Sequence, residues 1–405
     1  MARGRITETV EVRGHIIDSL ILPKILDEIV GAGADYEFLQ FDVGKHHNEP
    51  SYARIQMWTE NLEQLETALS RIHQYGAVPT DTGEATLEEV DRDGAFPSDF
   101  YSTTNLPTEV RVGGKWLDVQ PQEMDCGIVV EDGTAQTIAV ADVRKGQMVV
   151  TGRAGVRVTP VERPRGHRDF EFMSSSVSSE KPKELLVQRV VTEMKRVKEE
   201  GKKILWVVGP ALIHTGSGPD FAELVENGWV NVLFAGNGFA THDIESNLFK
   251  TSLGIFLEDA TSAEGGTEHH IRAINEVRRA GSIAAAIDKG IITEGVMYNL
   301  VKNKVPYVLA ASVRDDGPLP DTVTDMLEAQ RQMRALVDGV GLTIIVATML
   351  HGIATGNLLP AAVPIVCVDI NPSTVTKLLD RGSSQSAAIV TDVGLFVKQL
   401  NDSLS

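Results

Sequence analysis

Cysteine is scarce. The chain has 2, Cys126 and Cys367, far apart and without a CxxC pair. That excludes a disulfide framework and a thiolate metal site, and it points to a reducing compartment, the cytoplasm. Positive charge is also short. Lys and Arg number 38 against 56 Asp and Glu, for a formal net charge of −18. Nonspecific nucleic-acid binding and anionic membrane surfaces both need a basic face, so neither is expected. A local basic pocket for a small anion remains compatible. The N-terminus, "MARGRITETVEVRG", has no apolar signal core. The most apolar region, 343–370, is interrupted by Gly352, Gly356, Asn357, Pro360 and Pro364 and contains His351. It reads as strand, turn, helix and strand rather than a membrane span. There is no internal repeat and no literal GxGxxG, HExxH or HxxxH. What remains is a chain of 405 residues, 42% hydrophobic and 23% charged, suited to two or three globular domains.

Residues 1–80 predict a ferredoxin-like α+β unit. "ITETVEVRG", "YEFLQFDVG" and "YARIQMWTE" are strands, "SLILPKILDEIVGAG" is a helix, and "AVPT" is a possible last strand. "NLEQLETALSRIHQYG" is an amphipathic helix capped by Asn61 and closed by Gly76. His46 and His47 read as solvated loop residues. Residues 81–175 form a second, β-rich unit. Short runs such as "EVRVGGKWLDV", "GIVVEDG" and "QMVVTG", separated by turn signals, suit a small barrel or sandwich. "RPRGHRDFEFMSSSVSSEKP", 163–182, is linker-like, with a boundary near 175–183.

From 184 to 405 the texture is α/β. "KILWVVG", "VNVLFAG", "VPYVLAA", "TIIVA", "PIVCV" and "AAIV" are apolar runs with little alternation, as in strands buried on both faces. Helical stretches lie between several of them. The fold class is therefore α/β, with a doubly wound, mostly parallel, Rossmann-like C-terminal sheet.

In such sheets ligands bind beyond the carboxyl ends of the strands. All six runs end in glycine, small polar residues or charge: "PALIHTGSGPD", "NGFATHDIE", "SVRDDGPLPD", "TMLHGIATGN", "DINPSTVTK" and "TDVG". The unit 343–370 has the layout of a dinucleotide site. A loop, Thr348 to His351, leads into a helix, and an acid, Asp369, closes the next strand. The loop and helix N-terminus suit a pyrophosphate, and the acid suits ribose hydroxyls. The alternative is a plain βαβ unit whose Asp369 caps a turn with Asn371 and Pro372. His242 is a candidate acid or base, with Asp243 or another carboxylate orienting it; helix capping by Thr241 or Asp243 is the other reading. His269 and His270 add imidazoles, but no metal-ligand spacing, so no metal is expected. Lys377 and Arg381, one helical turn apart, could receive phosphate or carboxylate, or simply line a solvated face. "RDDGPLPD", 314–321, ends a core strand with dense charge. Asp321 is read as the cap of the following helix.

"VEVRGHIIDSLILPKILDEI" resembles the conserved region named after the bifunctional lysine-oxoglutarate reductase/saccharopine dehydrogenase. "GNGFATHDIE", "HHIRAIN", "PYVLAASVRDDGPLPD", "ATMLHGIATGN", "CVDINPSTVTKLLDRGS" and "VTDVGLF" resemble the archaeal-type, NAD-dependent ornithine cyclodeaminase family, which also forms the C-terminal part of cyanobacterial arginine dihydrolase–ornithine cyclodeaminases. The match spans nearly the whole chain. The guanidine-removing domain of those fusions is absent, so arginine hydrolysis is not implied.

The resemblance implies a deoxyhypusine-synthase-like, Rossmann-related NAD domain. It implies NAD contacts at Asn237, Gly238, Asp316, Thr348, Met349, Leu350, His351, Asp369, Asp392 and Val393. The implied reaction turns L-ornithine into L-proline and ammonia with no net redox. Hydride leaves Cα, the δ-amine closes on the resulting imine, ammonia departs, and hydride returns. The site then needs His242 or Asp243 for proton transfer, Asp315 for the amine, and Arg314 or Lys377 for the carboxylate. A small amino-acid substrate and a homo-oligomer are expected. Two alternatives are an NAD-binding amino-acid sensor and an aminobutyl-type transferase with Lys377 as imine nucleophile.

Overall fold

The computed structural model describes residues 6–17, 20–45, 49–73, 75–80, 83–159, 183–315, 317–381 and 386–404. His46, His47, Asp316 and the stretch 163–182 lie outside them. Two compact units are present, Met1–Glu171 with Leu359–Ala362, and Phe172–Leu358 with Val363–Ser405.

The first unit opens with β1 (Ile6–Gly14), α1 (Ile21–Gly31), β2 (Asp35–Asp42), β3 (Ser51–Thr59), α2 (Leu62–His73) and β4 (Val78–Pro79). Strand alternation puts Val10, Val12, Ala53, Ile55 and Met57 in the core. Helical periodicity adds Leu22, Ile25 and Ile29 from α1, and Leu65, Ala68 and Ile72 from α2. Each large aliphatic buried this way contributes roughly 1.5–3 kcal/mol. The sheet order β2-β3-β1-β4, antiparallel at every pairing, is ferredoxin-like. Asn61 caps α2, accepting from the Gln64 N–H at 2.9 Å, and Gly76 leaves it at φ +82°.

Next come β5 (Thr86–Glu89), β6 (Thr108–Val112), β7 (Lys115–Gln120), β8 (Gly127–Glu131), β9 (Thr134–Ile138), β10 (Met148–Thr151) and β11 (Val156–Val158). They form one sheet, β11-β6-β7-β9-β8-β10-β5. Its ends curl together. The Ala85 N–H, just before β5, donates to the Arg111 carbonyl of β6 at 2.8 Å.

The second unit begins with α3 (Lys183–Glu199), β12 (Lys203–Val208), α4 (Ala211–His214), α5 (Gly218–Glu226), β13 (Val232–Gly236) and α6 (Asn237–Phe249). A hairpin of β14 (Thr251–Ser252) and β15 (Ile255–Phe256) follows, then α7 (His269–Ala280), α8 (Ile283–Asp288) and α9 (Val296–Lys302). The chain continues as β16 (Tyr307–Ala310), β17 (Thr322–Val323), α10 (Met326–Leu336), β18 (Val340–Val346) and α11 (Leu350–Leu358). It ends with β19 (Ile365–Asp369), α12 (Pro372–Arg381), β20 (Ser386–Val390) and α13 (Val393–Leu404).

The sheet order is β17-β16-β13-β12-β18-β19-β20, parallel throughout. Without the two-residue edge strand β17, the six main strands run 3-2-1-4-5-6 in chain order, the Rossmann arrangement. All seven residues of β18 are buried, which explains its unbroken apolar run. The order reverses between β12 and β18. One expectation needs correcting: Asp321 does not cap α10. Its carboxylate accepts from the Ile283 N–H at 2.8 Å, at the start of α8. Asp325 caps α10, accepting from Leu327 N–H at 2.9 Å. The intervening β17 moves the helix start by one turn. Among the described residues no helix is long and apolar enough to cross a membrane.

Candidate functional site

The parallel sheet gathers six strand ends on one edge. At the reversal, β12 and β18 leave each other under tight constraint. A Cβ on Gly209 would fall 2.0 Å from the Ala347 carbonyl oxygen, so only glycine fits. Ala347 itself turns with φ +49°. A left-handed alanine is held there only by its surroundings, and such strain concentrates at ligand sites. On the next strand, a Cβ at Gly236 would sit 3.1 Å from His351 Cε1. The His351 ring therefore lies over the end of β13. Burial lowers its pKa, opposed by the nearby Asp315 charge. In α11, a Cβ on Gly352 would meet Leu378 and Ile345 side chains at 2.8 and 2.9 Å. This glycine lets α11 pack close to its sheet, a role glycines also play in dinucleotide units.

The predicted cofactor residues cluster along this edge. Thr348, Met349 and Leu350 connect β18 to α11, and Leu350 is 74% exposed. Asp369 ends β19. One of its oxygens accepts from the Asn371 N–H at 2.7 Å. Beside it, the Thr391 N–H donates to the Asp369 carbonyl, while the Thr391 hydroxyl is buried with no hydrogen-bond partner among the described residues. Ile370, next to Asp369, is 69% exposed. An acid at this strand end, with the exposed Ile370 beside it, suits a ribose and the apolar face of a base. Asp392 caps α13 through the Leu395 N–H at 3.0 Å. The Val393 side chain is buried in the core, which leaves its backbone as the part a ligand could reach. Gly238 packs beside Pro210 at 3.5 Å from its would-be Cβ. Asn237 is buried, and its Oδ1 accepts from Leu319 N–H at 2.9 Å and Thr322 hydroxyl at 3.1 Å. It thus ties the "RDDGPLPD" segment to the start of α6.

A second grouping centres on α6. His242 and Glu245 are one turn apart, with Nδ1 of His242 2.7 Å from Oε2 of Glu245. Glu245 is fully buried, while 13% of the His242 side chain reaches solvent. The hairpin after α6 wraps the carboxylate. Thr251 hydroxyl donates at 2.9 Å, Gly254 N–H at 3.0 Å and Leu253 N–H at 3.3 Å. Burial alone would raise the Glu245 pKa. The bonds from His242, Gly254 and Thr251 outweigh it and hold the carboxyl below its ordinary value. His214, the last residue of α4, sets its ring edge-to-face on His242 with centroids 4.6 Å apart. Its Nδ1 lies 2.7 Å from Ser252 Oγ. Desolvation, then the neighbouring His242, depress His214 to about 4. His269 stacks on Phe249 and reaches Thr251 Oγ1 at 2.8 Å.

The pairing weighed for His242 is settled against Asp243. That carboxylate turns to α9, accepting from Val296 N–H at 2.9 Å and Met297 N–H at 2.7 Å. Its two oxygens cap a helix rather than orient an imidazole. Asp315 accepts from Ser312 N–H at 2.7 Å, and Arg314 and Lys377 are exposed. Among the described residues no group of three or more His, Cys, Asp and Glu is placed to hold a metal. Sequence reasoning passed over His214 and Ser252. Their only sequence signal is position, within or just after the strand-end loops.

Comparison with known proteins gives three family matches. Residues 188–400 match the Rossmann-fold C-terminal region of ArgZ-like arginine dihydrolases. Residues 107–187 match the first region of that C-terminal part. Residues 7–106 match the conserved region of the LOR/SDH bifunctional enzyme. An ornithine cyclodeaminase from Methanothermobacter thermautotrophicus is 50% identical over 394 residues, 96% of either chain. The structure of apo ArgZ, a cyanobacterial arginine dihydrolase, aligns at TM-score 0.85 and 37% identity over 99% of this chain and 58% of that one. AgrE, solved in a ternary complex with ornithine and NAD+, aligns at TM-score 0.54 and 39% identity over 99% and 57%.

Proposed function

Because the chain belongs to the family of archaeal ornithine cyclodeaminases and ArgZ-like C-terminal regions, we propose that it converts L-ornithine to L-proline and ammonia, using NAD catalytically. The observation that carries this is half-identity to a curated ornithine cyclodeaminase along 96% of both chains. The Rossmann strand order and the constricted reversal at Gly209 and Ala347 support it. Bound NAD supplies a hydride acceptor that is regenerated within the same turnover.

The protein's own residues would do the rest. Thr348 to His351 and the α11 N-terminus would face the pyrophosphate, and Asp369 the adenosine ribose. Asn237, Gly238, Asp392, Val393 and Asp316 would complete the cofactor contacts. His242 would remove a proton from the substrate α-ammonium, freeing the lone pair that lets hydride leave, and would return a proton to the departing ammonia. Asp315 would face the δ-ammonium and Arg314 or Lys377 the carboxylate. A transferase nucleophile is not favoured at Lys377, since its side chain is exposed rather than enclosed in a pocket.

Pure protein incubated with ornithine and NAD should yield proline and ammonia in equal amounts without net NADH. NAD binding without turnover would instead make it a sensor. We extend the proposal to a cytoplasmic homo-oligomer, which light scattering of the pure protein tests for assembly.

A further inference from the structure

Glu245 has no assigned role in the reaction, yet its environment is built around its charge. A fully buried carboxylate is costly to desolvate unless donors surround it. Here Thr251, Leu253, Gly254 and His242 all point donors at it. An ionised carboxylate only accepts, so the His242 Nδ1 facing it must carry the proton. In the neutral ring the lone pair is then on Nε2, the form a base needs. Thr251 spends its single hydroxyl proton on Glu245, so His269 Nδ1 must donate to Thr251. The His214 ring against His242 is kept neutral by burial.

We propose that Glu245 is the positioning residue of the cyclodeaminase site: held by the β14–β15 hairpin, it fixes His242 as the Nδ1–H tautomer and stabilises the imidazolium formed during proton transfer. The inference deepens the reading of His242 as the proton-transfer group and rests on it. It also gives the hairpin a function, since Thr251, Leu253 and Gly254 supply three of the four donors. The order of parts is that of a carboxylate–histidine pair in which the acid orients and the imidazole reacts.

The test is steady-state kinetics with ornithine, plus NAD titration, on wild type, Glu245→Gln, His242→Gln and the double variant. A glutamine amide has one acceptor oxygen and one NH2 for these four donors, so some of them lose their acceptor and the negative charge beside His242 is gone. Glu245→Gln should lower kcat by about 10²–10⁴-fold. Ornithine KM and NAD Kd should stay within about threefold, and the second substitution should add little in the His242→Gln background. If Glu245→Gln keeps wild-type kcat while His242→Gln is inactive, this inference fails and the base assignment stands. If His242→Gln keeps kcat, the base assignment fails and the inference with it. Loss of NAD binding together with kcat would make Glu245 merely structural. Should Glu245→Gln not fold, ¹⁵N-histidine NMR of the wild type decides: His242 must be protonated at Nδ1 and bare at Nε2, and the reverse tautomer overturns the proposal.

Discussion

Asp243 and His242 are neighbours in sequence, and the structure gives them different work. Replacing Asp243 separates those roles. Its carboxylate accepts the Val296 and Met297 N–H groups at 2.9 and 2.7 Å, in full burial. Alanine would leave both donors unpaired. A buried unsatisfied donor costs roughly 1–3 kcal/mol, and removing a buried charge returns part of that. The net expectation for Asp243→Ala is a loss of about 2–4 kcal/mol. At about 2–4 °C per kcal/mol for a unit of this size, the midpoint should fall by roughly 5–15 °C. Asparagine keeps one acceptor and should cost about half as much. The pH dependence has a definite sign. Burial pushes Asp243 up to about 6, above the unfolded value. The folded chain then holds a proton that the unfolded chain has released. The resulting stabilisation is full below the unfolded pKa and fades as pH rises through about 6. The non-titrating Asp243→Asn lacks it, so its deficit against wild type should be larger at pH 5 than at pH 7. Thermal and denaturant melts at both pH values measure this, alongside kcat well below the midpoint, which should stay within about threefold. A well-folded Asp243→Asn with unchanged stability and a hundredfold lower kcat would refute the assignment.

Other substitutions test the cofactor edge and the fold. Asp369→Asn should weaken NAD binding by about 1–2 kcal/mol, roughly 5–30-fold, in calorimetry, with the melt of the free protein little changed. Gly352→Val places methyls against Leu378 and Ile345; overpacking of this kind costs about 1–3 kcal/mol and should also reduce NAD affinity by tilting α11. Asn237→Ala removes the acceptor for Leu319 and Thr322, and should raise ornithine KM more than it lowers kcat. Asp325→Ala removes the α10 cap and should cost about 0.5–2 kcal/mol in a chemical melt, with NAD Kd unaffected.

The C-terminal architecture was readable because strands buried on both faces write themselves as unbroken apolar runs. "KILWVV" and "LTIIV" are β12 and part of β18, and the polar residues after each run mark one edge of the sheet. Asn61 and Gly76 were readable for a local reason, since capping is decided within a turn of chain. The cap of α10 was not, because a two-residue parallel strand has no local signature and its pairing with β16 is long-range. The acids in "HDIE" do differ in spacing: on a helix Glu245, three residues after His242, shares its face, while Asp243, one residue after, does not. The return of residues 251–254 around Glu245, and the approach of 296–297 to Asp243, is long-range and had no local signal. His214 was hidden similarly, since its partner Ser252 lies on the hairpin 38 residues later. The constriction at Gly209 depends on Ala347, which the sheet brings beside it only through the β12–β18 pairing.

The central claim is that hydride leaves the substrate Cα and returns to the same carbon within one enzyme. L-Ornithine deuterated at Cα tests it directly, with unlabelled NAD and mass spectrometry of the proline formed. The expected product is proline that keeps its deuterium at Cα, with ammonia in equal amount and no net NADH. Proline with solvent hydrogen at that carbon, or NADH accumulating with product, would contradict it.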